Sequence, residues 1–112
     1  MELGQFSVSL AVKDIVKSKA FYETLGFEAH PECGGVDDKW LIMQHGTTVI
    51  GLFEGMFEDN ILTFNPTDVR HIEQHLKQHD IAIDSPTKGE SGPAHCILKD
   101  PDGNVIMFDQ HQ

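Results

Sequence analysis

Histidines and carboxylates are the side chains in this sequence that could carry metal or acid–base chemistry. His71, His75 and His79 follow one another at four-residue intervals, which on a helix would align them for capture of a transition metal. The apolar residues of the same segment, Ile72 and Leu76 among them, define the face that packs on a core. We therefore expect His71 and His75 to lie toward the flank or the solvated side of that helix, whereas His79 continues the apolar stripe, and we expect no dedicated metal site there.

A second acid–base candidate is the pair His95 and Asp109. His95 and Cys96 are neighbours on a predicted strand, so only one of them can face a site on a given side of the sheet. If it is His95, the imidazole can relay protons near neutral pH beside Asp109, and otherwise it points outward. Both orientations are compatible with the sequence. Glu54 is expected to face away from Phe53 as a surface charge.

Composition excludes several classes of partner. The chain has 112 residues, enough for one domain, and its 18 Asp and Glu against 8 Lys and Arg give a formal net charge of -10. Such a charge repels nucleic acids and anionic membranes. No leader-like or membrane-spanning apolar run is present, so we expect a cytoplasmic protein. Cys33 and Cys96 are expected to be reduced and structural.

The first half of the chain predicts one strand, one helix and three further strands. Apolar residues alternate with small ones from Phe6 to Val12, Asp14 can cap a helix, and Gly26 can end it. The predicted helix runs from about Ile15 to Leu25. The later strands are predicted at Phe27 to Ala29, Trp40 to Gln44 and Thr48 to Phe53, with a turn at CGG, residues 33 to 35.

The second half repeats this order, and its helix stripe lies 54 residues after the first one. Asp68 is the predicted helix cap, and the sequence DPDGN at 100 to 104 is a predicted tight turn. The strands are predicted at Ile61 to Phe64, Ile81 to Ile83, Ala94 to Leu98 and Val105 to Asp109.

These patterns predict an α+β fold in a single domain, residues 1 to 112. We expect two tandem βαβββ modules, about 1 to 57 and 58 to 112, that form a curved mixed sheet around a groove with the helices on the outer face. Function is expected in that groove.

Two segments carry a family resemblance. VKDIVKSKAFYETLGF at 12 to 27 and LKDPDGNVIMFDQ at 98 to 110 closely resemble the signatures of the vicinal oxygen chelate superfamily, the group of glyoxalase, bleomycin-resistance and extradiol-dioxygenase proteins. GLFEGMF at 51 to 57 and NILTFNP at 60 to 66 look like an uncharacterised glyoxalase-like bacterial subgroup. The resemblance implies the paired-module fold and a homodimer.

Metal-dependent members of that superfamily hold a divalent ion with four side chains, and by resemblance those positions fall on Ser7, Gly51, Ile61 and Met107. Serine is a poor ligand for zinc or nickel, glycine and isoleucine offer no side-chain donor, and methionine sulfur prefers softer metals. We therefore predict no metal, no cofactor and no glyoxalase I activity by that mechanism.

The same strand faces define the candidate ligand-binding residues. Trp40 could instead be a packing or dimer contact, and Phe53, Ile61 and Met107 could be core. The predicted function is metal-independent binding of a small, largely apolar organic molecule. One alternative is an enzyme that uses His95, Asp109 or non-standard metal ligands, and another is a regulatory or interaction domain with a filled groove. The ligand-binding candidates are Ser7, Ser9, Trp40, Gly51, Phe53, Ile61, Thr63, Met107 and Asp109.

Overall fold

The computed structural model describes residues 1–112, and their contacts divide the chain into two units. The first module is Ser7–Asn60, and the second module is Met1–Phe6 together with Ile61–Gln112. The chain has seven strands and two α-helices, so the predicted α+β class is confirmed. Neither helix is long and apolar enough to cross a membrane.

The first module is a four-stranded mixed sheet with one helix. Its strand order is β2-β3-β4-β1, in which β1 runs parallel to β4 and the other pairs are antiparallel. The first two residues of β1 belong to the second module. The elements are β1 (Gln5–Val12), α1 (Ile15–Thr24), β2 (Glu28–Gly35), a short 3-10 helix (Val36–Asp38), β3 (Trp40–His45) and β4 (Thr48–Glu54).

The second module has the same plan with one strand fewer. Its order is β5-β7-β6, with β5 parallel to β7 and β6 antiparallel to β7. The elements are β5 (Ile61–Asn65), α2 (Val69–Gln78), β6 (Ala94–Lys99) and β7 (Val105–Gln110).

The predicted helix boundaries are confirmed. The Asp14 carboxylate accepts hydrogen bonds from two backbone N–H groups of the first turn of α1 at 3.1 and 3.2 Å, and Asp68 accepts one at the start of α2 at 3.2 Å. Gly26 follows α1 with a φ of 102°, a conformation that L side chains rarely adopt. Local sequence rules therefore place both helices.

Each helix also receives a second cap from the last residue of a distant strand. Glu54 Oε1 accepts from the backbone N–H of Ile15 at 3.0 Å, and Gln110 Oε1 accepts from that of Val69 at 2.8 Å. Glu54 also pairs with Lys39 at 3.1 Å, and these two donors hold the pKa of its carboxyl below the ordinary value of 4.5. Glu54 faces away from Phe53 as expected, but it is more than a surface charge, because it ties the end of β4 to α1. Equivalent caps therefore occur in both modules, which is structural evidence of the duplication.

Each module buries the sheet face that meets its own helix. Side chains alternate along a strand, so the residues between these buried ones point to the opposite face. The core of the first module consists of Ile15, Leu41, Met43, Ile50 and Leu52. The core of the second consists of Val69, Ile72, Cys96, Leu98 and Phe108.

Two predicted elements differ in the structure. The CGG segment is not a turn between strands but the end of β2, where the pairing register shifts between Ala29 and Gly34. Residues 81 to 83 are not a strand. Asp80 has a φ of 58°, and the N–H of Ile81 donates to the carbonyl of Leu76, so the chain leaves α2 in a turn where a strand was predicted.

The first six residues pack on the second module. Both carboxylate oxygens of Glu2 accept from Thr67, from its N–H at 3.3 Å and its hydroxyl at 3.1 Å. The rings of Phe6 and Phe64 lie 5.1 Å apart, and Leu3 packs against the core of that module. The N-terminal segment is thus a structural part of the unit formed by the second half of the chain.

Candidate functional site

The sheet face of the first module that points away from α1 carries five of the candidate residues. The register sets Ser9 opposite Gly51 and Trp40 opposite Phe53, and Ser7 lies two residues before Ser9 on the same strand. Ser7 and Ser9 are buried, whereas Trp40 and Phe53 are half-buried. These side chains share one face, and their contact with a ligand stays a prediction.

Aromatic rings dominate this face. The indole of Trp40 and the ring of Phe53 are nearly parallel, with an interplanar angle of 10° and 6.3 Å between their centroids. The centroid of the Phe57 ring lies 5.3 Å from that of Phe53. We call Trp40, Phe53 and Phe57 the aromatic face. A Cβ placed on Gly51 would come within 2.6 Å of Phe53 Cε2 and 3.2 Å of Ile42 Cδ1. The ring of Phe53 therefore occupies the space that a side chain at position 51 would need.

The corresponding face of the second module carries the remaining candidates. Strand pairing sets Thr63 opposite Met107 and His95 opposite Asp109, and Ile61 lies two residues before Thr63. All of these residues point away from α2. Ile61 and Thr63 are buried, and His95 is exposed.

The structure decides between the two orientations of the His95 and Cys96 pair. Cys96 is fully buried in the core against α2, where burial, with the nearby charge of Glu73, raises the pKa of its thiol to about 11. A thiol with such a pKa is an inert core group at neutral pH. His95 is therefore the member of the pair on the same face as Asp109.

Two further polar residues adjoin Asp109. Asn65 Nδ2 donates to the Asp109 carbonyl at 3.0 Å and contacts His111 Nε2 at 2.9 Å. The His111 nitrogen also lies 3.8 Å from Asp109 Oδ2. We call these three residues, with His95 as the cross-strand partner of Asp109, the polar cluster of the second module. Imidazole and carboxylate side chains are common general acids and bases in enzymes.

The loop before β6 is fixed to α2 by two long side chains. Arg70 donates to four backbone carbonyls of residues 88, 89, 91 and 92 at 3.0 to 3.2 Å. Glu73 accepts from the N–H of Thr87 at 2.7 Å and from its hydroxyl at 2.8 Å. Burial raises the pKa of Glu73, but the two Thr87 donors and Lys77 outweigh it, so the pKa falls below its ordinary value. The loop is thus a tethered part of the second module.

Comparison with known families identifies the chain. A family model of the glyoxalase/bleomycin resistance protein/dioxygenase superfamily matches residues 4–108. The chain belongs to this superfamily. A search of curated proteins finds no match.

Solved structures share the fold of this superfamily member. A superfamily protein from Vibrio splendidus 12B01 is 18% identical over 95% of this chain and 97% of its own, with a TM-score of 0.74. A structure named NAD-dependent benzaldehyde dehydrogenase, from Legionella pneumophila, is 19% identical, covering 96% and 99%, at 0.71. A variant of the Streptomyces coelicolor methylmalonyl-CoA epimerase, in complex with 2-nitronate-propionyl-CoA, is 17% identical, covering 97% and 98%, at 0.70. At such identities the likeness shows the fold alone.

The superfamily's four metal positions, carried over by resemblance, do not fit a divalent ion in this chain. Gly51 has no side chain and is covered by the ring of Phe53, and Ser7 offers only a buried hydroxyl. Ile61 has no donor atom, and Met107 has only a thioether sulfur. Nowhere in the chain do three or more His, Cys, Asp or Glu residues form a group that could hold a metal.

His71 and His75 lie as predicted on the exposed side of α2, and His79, which follows the helix, is exposed too rather than part of the apolar stripe. His75 and His79 stack with ring centroids 4.4 Å apart, and the Nδ1 atom of His79 lies 2.9 Å from the His75 carbonyl. These contacts belong to the end of the helix, and they assemble no metal site.

Sequence reasoning missed several residues of both faces. Ile42 follows Trp40 by two on the same strand, so alternation alone could have placed it beside Gly51. The same rule extends from Thr63 to Asn65 on β5, but His111 lies one residue beyond the end of β7. Phe57 lies beyond the end of β4, where alternation no longer applies.

Proposed function

We propose that this superfamily member binds a small, flat, largely apolar organic molecule on the aromatic face of its first module, without a metal at the superfamily's four positions. The observation that supports this is the parallel pair Trp40 and Phe53, half-buried on the side of the sheet away from the helix. Aromatic stacking adds about 0.5–1.5 kcal/mol beyond burial of apolar area, enough to select flat ligands. The groove, the homodimer and the cytoplasmic location stay predictions.

The sequence contains one tryptophan, which makes Trp40 a specific reporter of this face. A thermal-shift screen of neutral aromatic compounds, indole and 1-naphthol among them, selects a ligand for titration by Trp40 fluorescence. We expect Phe53→Leu to weaken its binding about five- to tenfold, because an aliphatic side chain cannot stack.

Phe6→Leu is the matched control, since Phe6 is an exposed aromatic residue of the second module. It should leave the dissociation constant unchanged. Equal weakening by both substitutions, or a complete screen in which Trp40 fluorescence never responds, would contradict the proposal. The second result would favour the interaction domain.

The polar cluster supports a second candidate function, an enzyme that moves a proton. His95 lies directly opposite Asp109, with Asn65 and His111 beside it. The structural likeness to a methylmalonyl-CoA epimerase makes a carbon acid a reasonable first substrate to test. We rank this candidate second because a net charge of -10 disfavours the polyanionic coenzyme A moiety.

Its test is hydrogen exchange. If the candidate is correct, methylmalonyl-CoA incubated with the protein in D2O should lose its methine proton signal in ¹H NMR, and His95→Gln should slow this loss about 100-fold or more. His71→Gln, a change on the exposed face of α2, is the control and should leave the rate unchanged. Exchange at the uncatalysed rate, or equal rates for both variants, would argue against a catalytic His95.

A further inference from the structure

We propose that a depression in the first module, between α1 and β1, is a second binding site and that it takes small organic carboxylates. It has a volume of about 470 Å³, within the range of small-molecule sites. Its apolar lining includes Leu10 and Val12 of β1 and Phe21 and Tyr22 of α1. We call it the α1 pocket.

The α1 pocket is separate from the aromatic face. Leu10 and Val12 point to the helix side of β1 and pack against the core there, whereas Ser9 and its partner Gly51 belong to the opposite side. None of the three residues of the aromatic face lines the α1 pocket, although Ala11, which does line it, is the cross-strand partner of Phe53. If the aromatic face binds no ligand, the α1 pocket can still bind one, so this inference does not depend on the proposed function.

The apolar part of the pocket is left open to solvent. Phe21 is 60% exposed and meets Tyr22 edge to ring at 5.2 Å between centroids. Tyr22, Leu10 and Val12 are only partly buried although they pack against the core. A bound apolar group would remove this surface from water, at about 25 cal/mol for each Å² buried.

The polar residues of the lining each offer a hydrogen-bond donor, and one of them is a cation, which favours an anion. Lys17 lines the pocket and takes part in none of the four ion pairs of the structure. Asn60 uses its Oδ1 to accept from the N–H of Ala11 at 2.9 Å, so its Nδ2 hydrogens are what it can offer a ligand. The Ser18 hydroxyl also lines the pocket, and no acidic residue does. A carboxylate at the rim, with its apolar body against Phe21, matches this arrangement.

The overall charge of the chain opposes the binding of carboxylates. At a formal net charge of -10 the chain repels anions and attracts cations over its surface. Non-specific binding would therefore favour an alkyl cation over an alkyl anion of equal length. A preference for the anion requires a local cation, and Lys17 is the one that lines the pocket.

The test uses octanoate, with octan-1-ol and octylammonium as neutral and cationic comparisons. The sequence has one tyrosine and one tryptophan, so 3-fluorotyrosine and 5-fluorotryptophan each give one ¹⁹F NMR signal, from Tyr22 and from Trp40. We expect octanoate to shift the Tyr22 signal saturably while the Trp40 signal stays in place, and to bind more tightly than either comparison.

Charge removal at Lys17 gives the second readout. Lys17→Gln should weaken octanoate binding about three- to fivefold, the loss expected for a solvent-exposed ion pair. Lys13→Gln makes the same charge change at an exposed residue that does not line the pocket, and should have no effect. The inference fails if octylammonium binds as well as octanoate, if both substitutions weaken binding equally, or if Tyr22 shows no saturable shift.

Discussion

Replacing Leu52 by alanine is expected to lower the free energy of unfolding by about 3 to 5 kcal/mol, the largest effect of any substitution considered for this chain. Leu52 has no exposed surface. It lies on β4, between β3 and β1, and faces the helix side with Leu41 and Leu10 as its cross-strand partners. The surrounding strands cannot close the space left by the deleted methyl groups, so a cavity remains.

Urea unfolding followed by circular dichroism measures this loss, and two controls isolate its cause. Leu25→Ala is the same chemical change at a side chain that is 56% exposed, and should cost less than about 1 kcal/mol. Phe53→Leu changes the next residue along β4 on the opposite face, and should cost less than about 1.5 kcal/mol while it impairs ligand binding. If Leu52→Ala proves no more damaging than Leu25→Ala, the assignment of the two faces of β4 is wrong.

Replacing Glu73 by glutamine is expected to cost about 1.5–3 kcal/mol of stability at pH 7, because a charge-assisted pair of hydrogen bonds is lost. Glu73 is 8% exposed, and its carboxylate accepts both hydrogen bonds that Thr87 donates. An amide presents one acceptor and one donor, so it cannot accept both bonds in the same geometry. Chemical unfolding at a series of pH values measures the difference between the two proteins.

The sign of the pH dependence follows from the pKa of Glu73. Its pKa in the folded chain is lowered from 4.5, so the carboxylate contributes fully at pH values above 4.5, and this contribution is lost as pH falls through the folded pKa. The gap between the unmodified chain and Glu73→Gln should therefore be constant near neutrality and shrink in acid. Glu90→Gln, an exposed change in the same loop, should give no such gap. A gap independent of pH would show that the carboxylate charge is not the cause.

The parts of the fold that the sequence predicted are those determined by neighbouring residues in the chain. Asp14, Asp68 and Gly26 act within one helical turn of their own positions, and the period-two alternation assigns the buried face of each strand. The caps from Glu54 and Gln110 could not be predicted, because each spans 39 or 41 residues and depends on where a strand ends. Local apolar character also failed to predict residues 81 to 83, where the chain leaves α2 through a turn at Asp80 and Ile81 bonds back to Leu76.

In the candidate sites too, local sequence rules predicted some features, whereas others depend on residues distant in the sequence. Strand alternation was enough to place Ser9, Gly51 and Phe53 on one face, but not to find that the Phe53 ring covers Gly51. The choice between His95 and Cys96 required the β6 and β7 register, which the tight turn at residues 100 to 104 establishes. The hydrogen bonds of the Arg70 guanidinium reach carbonyls 18 to 22 residues away, and no sequence pattern indicates such a contact.

The pairing of Met1–Phe6 with the second module has a consequence for synthesis on the ribosome. Residues Ser7–Asn60 form a unit with its own core, so this segment can collapse as soon as it has left the exit tunnel. Residues Met1–Phe6 emerge earlier still, yet Phe64 and Thr67, which hold them, are made only after that whole unit. Residues Met1–Phe6 therefore lack their native contacts until the second half of the chain has been synthesised. They then pack on Phe64 and Thr67, which are made later than the whole first module.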